Sequence, residues 1–428
     1  MDTTAAGAEA PRSPRLQALQ AAIASDDASH ALDAFWAEVT QRGAPLIEPL
    51  PDRPDCCLVT FLWREQEPVD SVTVLAWFLP GDPASHRLSR LPGTDVLYCS
   101  WPMRADLHTD YLFLLNDVAT PLRQDPDVEA RINRAICDPL NPLRVLEPGA
   151  KPAASAYQAD ASRLCLPQAA PFRWKRRQDA PRGEVTEHRF VSQRLGNERT
   201  VWTYTPPGYA ESEAPAALLV QTDGDECLAA MDLPHVLDNL HAAHAIPPTV
   251  AVFVDNVDRG TELPCNPAFA DMIADELIPW LQERYRLAPG QESVVMAGQS
   301  YGGLAATWAG LTRPDAIGNV IAQSSSYWWA PAASHEDEHL PLGVVSEREW
   351  LIHRVARMEC VPTRFYLAAG VLEAEGDRHE ASLVQGNRFM HDVMLAKGYD
   401  VVYREYPGGH DWFMWGEEMG RALIHLLG

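Results

Sequence analysis

Positive charge is the first thing this sequence lacks. Its 428 residues carry 35 Lys and Arg against 59 Asp and Glu, a formal net charge of −24. A chain this acidic has no broad basic face with which to displace the counterions of a nucleic acid. The same balance argues against an anionic membrane surface as partner and favours solubility. Long apolar runs are missing as well, since no stretch reaches the roughly 18 residues of a membrane span. Residues 1–30 hold acids at Asp2 and Glu9 and lack a basic segment followed by an apolar one, so no secretory leader is expected. Cysteine is sparse. Eight are scattered along the chain with no C-x-x-C pair, which excludes a disulfide scaffold and makes reduced thiols in a cytoplasmic protein the expectation. The charge balance sets one puzzle: an anionic ligand would be repelled by the global field.

What is present is material for ordinary cores, at 46% hydrophobic and 22% charged residues. At about 150 residues per domain the length predicts two or three domains. Residues 1–25, rich in Ala, Pro, Ser and Asp, read as an unstructured terminus. Leu32, Phe35, Trp36 and Val39 then recur at helical spacing across Ser29–Gln41. Short alternating apolar runs follow at 58–63, 71–78, 94–100 and 111–115, and their spacing predicts an antiparallel β-sandwich over 26–165. A basic, proline-punctuated stretch, 166–184, reads as a linker.

From 185 to 428 the texture changes. Continuous apolar runs at 217–222, 249–255, 293–297, 319–323, 364–369 and 400–406 alternate with helical patterns, one of which carries Phe269, Met272, Ile273, Leu277 and Leu281 on one face. Strands buried on both faces and separated by helices predict an α/β fold with a mostly parallel, doubly wound sheet.

The sharpest local signal is Gly298-Gln299-Ser300-Tyr301-Gly302, a G-x-S-x-G between the 293–297 run and the helical Leu304–Leu311 segment. This is the strand–turn–helix setting of a nucleophile elbow, where a strained turn lifts a serine hydroxyl above the sheet. The helix behind it offers backbone N–H groups to an oxyanion, with the amide of Tyr301 as one donor. A serine needs a base. In α/β hydrolases the order is Ser, acid, His, with the His after the last strand, and His410 in Gly408-Gly409-His410-Asp411 stands there. The acid should follow the 364–369 run, where Glu373, Glu375 and Asp377 are the candidates and Glu373 lies closest to the strand end. A second oxyanion amide is expected in Asp223–Glu226, at Gly224 or Asp225. His335-Glu336-Asp337-Glu338-His339 matches H-E-x-x-H, but it sits between prolines in an Ala/Pro-rich connection without an apolar stripe, so it reads as a solvated loop rather than a zinc helix.

These residues resemble the enterochelin (enterobactin) esterase family, hydrolases of catecholate siderophore lactones. The resemblance rests on Glu262–Asn266, Ala297–Leu304, Gln323–Trp329 and Gly408–Asp411 in the second half. In the first half it rests on Phe35-Trp36, Gly43–Glu48, Val59–Arg64, Leu91–Val96 and Asp138–Pro142. It implies an α/β hydrolase domain preceded by an immunoglobulin-like β-sandwich. It also implies cytoplasmic hydrolysis of the esters of a ferric catecholate siderophore, with iron entering only as part of the substrate and no cofactor. Ser300, His410 and Glu373 carry over as the triad, and Arg259 resembles the family's basic contact to a triply anionic substrate. Asn266, Trp328 and Trp329 are implied at the substrate, the tryptophans stacking on catechol rings, and Arg64 is expected to join Arg259 in a small basic pocket. The acidic loop at 370–377 and the segment 335–339 depart from the family's pattern. The competing readings are a feruloyl-sugar, acetyl-sugar or thioester hydrolase, and a siderophore-binding protein without catalysis; the intact elbow argues against the last.

Overall fold

The computed structural model describes residues 12–24, 28–76, 83–117, 127–146, 160–175, 179–331, 348–374 and 382–428. They divide into two compact units, one within Met1–Pro148 and Ala156–Ala170, the other within Pro171–Gly428. Among the described residues no helix is long and apolar enough to cross a membrane.

Among its described residues the first unit has seven strands: β1 Leu46–Pro49, β2 Cys56–Arg64, β3 Val72–Leu75, β4 Ser89–Arg90, β5 Val96–Arg104, β6 His108–Leu115 and β7 Ser162–Cys165. They form two antiparallel sheets, ordered β1-β2-β5-β4 and β3-β6-β7. Aromatic rings from the two sheets meet edge to face, Phe61 against Tyr111 at 4.7 Å and Trp63 against Phe113 at 5.8 Å. Part of the stretch expected to be unstructured is helical. Ser13 caps Pro14–Ile23 by accepting from the Leu16 N–H, Pro14 starts the first turn, and Leu16 and Leu19 are buried in one cluster with Phe35, Trp36 and Val39 of the Ala28–Arg42 helix. Those few apolar contacts outweigh the polar composition around them. Asp138–Pro142 is a structural tie. Asp138 accepts from the Tyr111 hydroxyl at 2.7 Å, and Asn141 donates to that hydroxyl and to the Arg163 carbonyl.

The stretch 166–184 is anchored at both described ends instead of running as a free linker. Leu166 and Gln168 donate to the carbonyls of Leu107 and Ala105 in the first unit. In the second unit, Glu417 Oε2 accepts the backbone N–H groups of Arg173, Trp174 and Lys175, and the Trp174 ring packs where a Cβ on Gly420 would collide with it. Sequence texture marks Pro and Arg content but not a buried carboxylate far along the chain that collects three N–H groups.

The second unit holds β8 Glu184–Ser192, β9 Asn197–Thr205, β10 Ala217–Gln221, β11 Thr249–Val254, β12 Val294–Gln299, β13 Asn319–Gln323, β14 Arg364–Gly370 and β15 Val401–Tyr406. They build one sheet in the order β15-β14-β13-β12-β10-β11-β9-β8. From β11 through β15 the pairings are parallel, while β8 and β9 form an antiparallel hairpin along β11. The central runs are wholly buried, as continuous apolar strands covered on both faces must be. The hairpin escapes the sequence reading because β8 is half polar, with an exposed face. The chain leaves β10 for β11 on one side and returns to β12 on the other. That makes a crevice at the carboxyl ends of β10 and β12, where ligands bind in open parallel sheets.

Candidate active site

Three non-glycine residues in the left-handed region of φ cluster at the ends of neighbouring strands: Asp223 after β10 (54°), Ser300 after β12 (56°) and Ser324 after β13 (49°). Backbone strain of this kind persists only where the surroundings over-determine it. At Ser300 the cause is visible. The backbone turns at φ 56°, ψ −118° straight into the Tyr301–Thr312 helix, and the turn closes so tightly that a Cβ on Gly298 would lie 2.2 Å from the Gly302 carbonyl carbon. A Cβ on Gly302 would lie 2.2 Å from Thr222 Oγ1. The two glycines of the G-x-S-x-G therefore let the elbow press against β10, and Ser300 is lifted clear. Its Oγ meets Ser326 Oγ at 3.1 Å.

His410 follows β15 in the turn before the Trp412–Leu427 helix, which Asp411 caps by accepting from the Met414 N–H. Its Nδ1 lies 2.5 Å from Glu373 Oε1. Glu373 stands just past the end of β14, in a short 3₁₀ turn, 7% exposed. Its other oxygen accepts from Ser324 Oγ at 2.8 Å and from the Gly370 N–H at 2.6 Å. Gly370 has to be glycine, because a Cβ there would come within 2.5 Å of the Gly408 carbonyl oxygen on the histidine loop. Of the three acids considered, Glu373 is the one joined to His410; Glu375, Asp377 and the His335–His339 segment lie outside the described residues.

The helices Gly224–Ala229 and Tyr301–Thr312 begin directly after β10 and β12, so the first-turn amides of Gly224, Asp225 and Tyr301 stand at the ends of adjacent strands. Helix starts carry N–H groups without an intrahelical partner and a positive dipole end, the elements from which an oxyanion site is built.

Arg259 does not stand as a lone cation. Its Nε and Nη2 fork the Asp223 carboxylate at 2.7 and 3.2 Å, and Asn256 donates to the same carboxylate at 2.6 Å. Burial, the largest single influence, would lower the Arg259 guanidinium; the charge and hydrogen bond of fully buried Asp223, with Glu226 and Tyr301 added, together outweigh it and raise it. Nearby, burial first and Asp225 next push the Asp255 carboxyl up to about 6. The expected basic pocket is thus, around Arg259, an arginine set among carboxylates, with 38% of its side chain exposed. Arg64, in the first unit, pairs with Asp95 Oδ2 at 3.0 Å and lies over the Trp36 ring. It too is matched by an acid.

The aromatic expectations separate. Trp328 lies 5.9 Å from Tyr301, whose ring faces the Arg259 guanidinium at 5.6 Å, so a row of cation, phenol and indole runs beside the elbow. Trp329 instead packs edge-on against Trp350 at 6.0 Å, both half-buried against the hydrophobic core. Asn266, expected at the substrate, caps a helix: Oδ1 accepts from the Ala268 and Phe269 N–H groups and Nδ2 donates to the Thr261 carbonyl. Glu262 of the same motif is also internal, holding Arg199 in a buried bidentate pair.

One device was invisible in sequence. Gln221, Gln299 and Gln323, each at the last position of β10, β12 and β13, form a buried amide chain. Gln221 Nε2 donates to Gln299 Oε1 (2.9 Å), Gln299 Nε2 to Gln323 Oε1 (2.8 Å), and Gln323 Nε2 to the Trp415 carbonyl (3.1 Å). The chain ties the strand ends that carry Asp223, Ser300 and Ser324 to the helix that follows His410. Gln299→Leu would leave the buried Gln323 carbonyl without its donor, and should lower stability by about 1–3 kcal/mol, read as a lower urea midpoint. An unchanged midpoint would refute a structural role for the chain. The only advance signal was a glutamine repeated at three strand ends.

A largely parallel sheet that changes winding direction at β10, with a serine on the strained turn leaving β12, is the architecture of the α/β hydrolases, and this chain is one of them. Comparison narrows the class. Residues 192–426 match the putative esterase family and residues 58–175 the N-terminal domain of enterochelin esterases. The iron(III) enterobactin esterase of Dickeya dadantii is 31% identical over 419 residues, covering 90% of each chain. The enterobactin esterase of Shigella flexneri, crystallised in the presence of enterobactin, aligns with a TM-score of 0.71 at 26% identity, over 92% of this chain and 97% of that one. The ferric enterobactin esterase of Salmonella typhimurium aligns at 0.72 and 26%, over 92% and 98%. The chain belongs to the enterobactin (enterochelin) esterase family.

Proposed function

We propose that this protein is a serine esterase that hydrolyses the ester bonds of ferric catecholate siderophores of the enterobactin type, in the cytoplasm, so that their iron can be released. The observation that carries the reading is the match of residues 58–175 to the enterochelin-esterase N-terminal domain, joined to an esterase domain in one chain. We read its two antiparallel sheets as an immunoglobulin-type sandwich, a reading supported by the Phe61–Tyr111 and Trp63–Phe113 contacts.

In this mechanism Ser300 is the nucleophile and His410 its base. Pairing of Nδ1 with Glu373 leaves Nε2 to take the serine proton, and holds the imidazolium that results. Oγ attacks the ester carbonyl; the oxyanion is held by the Tyr301 amide and one from Gly224 or Asp225. His410 then protonates the leaving serine-derived alcohol, and water deacylates Ser300 by the same route. Iron is cargo, and the chemistry is assigned to side chains and backbone without a cofactor. Trp328 and Tyr301 offer faces for catechol rings, and the exposed edge of Arg259 a contact for the anionic ligand field.

Chromatographic product analysis tests the proposal, with ferric enterobactin, iron-free enterobactin and a feruloyl sugar ester offered to wild type and Arg259→Ala. Wild type should cleave the siderophore to catecholyl-serine fragments and leave the feruloyl ester essentially untouched; faster turnover of the feruloyl ester would overturn the substrate assignment. Arg259→Ala removes the cation and leaves the buried Asp223 carboxylate with the Asn256 amide but without its counter-charge. KM for the ferric complex should rise about tenfold, the scale of one charge-assisted contact. KM for a neutral ester should change far less, and equal changes would refute the electrostatic role.

A further inference from the structure

One residue meets Glu373, Tyr406 and Trp415 at once. Ser324 is fully buried at the end of β13 with φ at 49°. Its backbone N–H donates to the Ala368 carbonyl of β14 at 2.7 Å, which fixes the Cβ direction. Its Oγ lies 2.8 Å from Glu373 Oε2, 3.0 Å from Trp415 Nε1 and 3.0 Å from the Tyr406 hydroxyl. The proton inventory assigns the roles. Indole Nε1 is only a donor, so it gives its proton to Ser324 Oγ. The single Ser324 proton is then available to the carboxylate oxygen, while Tyr406 donates to the Gly409 carbonyl at 3.1 Å or to the same Oγ.

From this we propose that Ser324 is a positioning residue for the acid of the site. Its hydroxyl and the Gly370 N–H converge on Glu373 Oε2, so the carboxylate cannot turn about its terminal bond and Oε1 is held toward His410 Nδ1. Trp415 aligns the hydroxyl from behind, and its ring also meets the His410 ring edge to face at 4.7 Å. One side chain thus couples the strand that neighbours the elbow to both the acid and the wall of the histidine. With Ser324 replaced by Ala, only the backbone donor remains on Oε2 and the carboxylate pivots about it. The inference rests on the proposed role of the Ser300, His410 and Glu373 set.

The test is a double-mutant cycle on wild type, Ser324→Ala, Glu373→Gln and the double variant, read as kcat, KM and the rate constant for acylation by a fluorophosphonate. Ser324→Ala should lower kcat and the acylation rate constant together by about 10- to 100-fold, the scale of one hydrogen bond to a charged group, with KM unchanged. In the Glu373→Gln background the same substitution should cost nothing further, because its effect passes through the carboxylate. Independent, additive losses in the double variant, or a wild-type rate in Ser324→Ala, would overturn the inference while leaving the triad standing. Full activity in Glu373→Gln would instead overturn the triad itself.

Discussion

Ser300→Ala is expected to remove turnover of the ferric siderophore by about 10⁶-fold in kcat, the scale on which serine hydrolases lose activity with their nucleophile. Binding of the ferric complex, followed by quenching of tryptophan fluorescence, should stay within about twofold of wild type, since no binding contact is ascribed to the hydroxyl. The substitution is clean for a structural reason. Ala keeps the Cβ that must tolerate φ 56° and ψ −118°, so the strained elbow and its packing on Thr222 are unaffected. Only Oγ and its 3.1 Å contact with Ser326 disappear. Turnover within about a hundredfold of wild type would rule out the acyl-enzyme route.

The second large effect concerns the acid. Glu373→Gln should lower kcat by about 10⁴-fold, because it forces the wrong histidine tautomer. The donors on Oε2 decide which way the new amide turns. Ser324 Oγ–H and the Gly370 N–H both need an acceptor there, so the amide oxygen of Gln takes that position and its NH₂ turns toward His410. Nδ1 must then accept, Nε2 carries the proton, and the imidazole can no longer receive one from Ser300. Because Gln has the volume of Glu, the fold should survive, which thermal unfolding will verify. Asp377→Asn and Glu375→Gln should retain activity within about twofold by the same assay, since Glu373 already holds the place beside His410. A large loss in either of those, with Glu373→Gln active, would move the acid elsewhere.

Much of this site could be read directly from the chain, for reasons specific to each residue. The elbow is a local pattern: two glycines, a serine, a strand before and a helix after, all within about fifteen residues. His410 was identifiable by chain order, standing after the last strand and before the last helix. Asn266 has a structural task that its motif does not reveal: its side chain caps the start of the next helix. Trp328 and Trp329 are adjacent and chemically identical, yet one lies beside Tyr301 and the other faces Trp350. Adjacent side chains point apart, and only packing decides which one reaches the site.

The charge puzzle took a different answer from the one expected. Net charge argued against nucleic acid as a partner on composition alone, but it gave no view of Arg259. The arginine is held by Asp223, so it offers direction and donors more than excess charge. That pairing also explains why Asp223 sits strained at the end of β10: its carboxylate is the fixed base on which Arg259 is aimed.

By itself, the sequence determined the α/β architecture of residues 185–428, the elbow at Ser300, the histidine at 410 and a short set of acids, because each depends on periodicity, local turn chemistry or chain order. The tertiary structure decided which acid meets the histidine, which carboxylate holds Arg259, and how three glutamines and Ser324 brace the strand ends. Those contacts join residues 37, 36, 78 and 49 positions apart. No local rule encodes them; they exist only where the parallel sheet brings successive strand ends side by side.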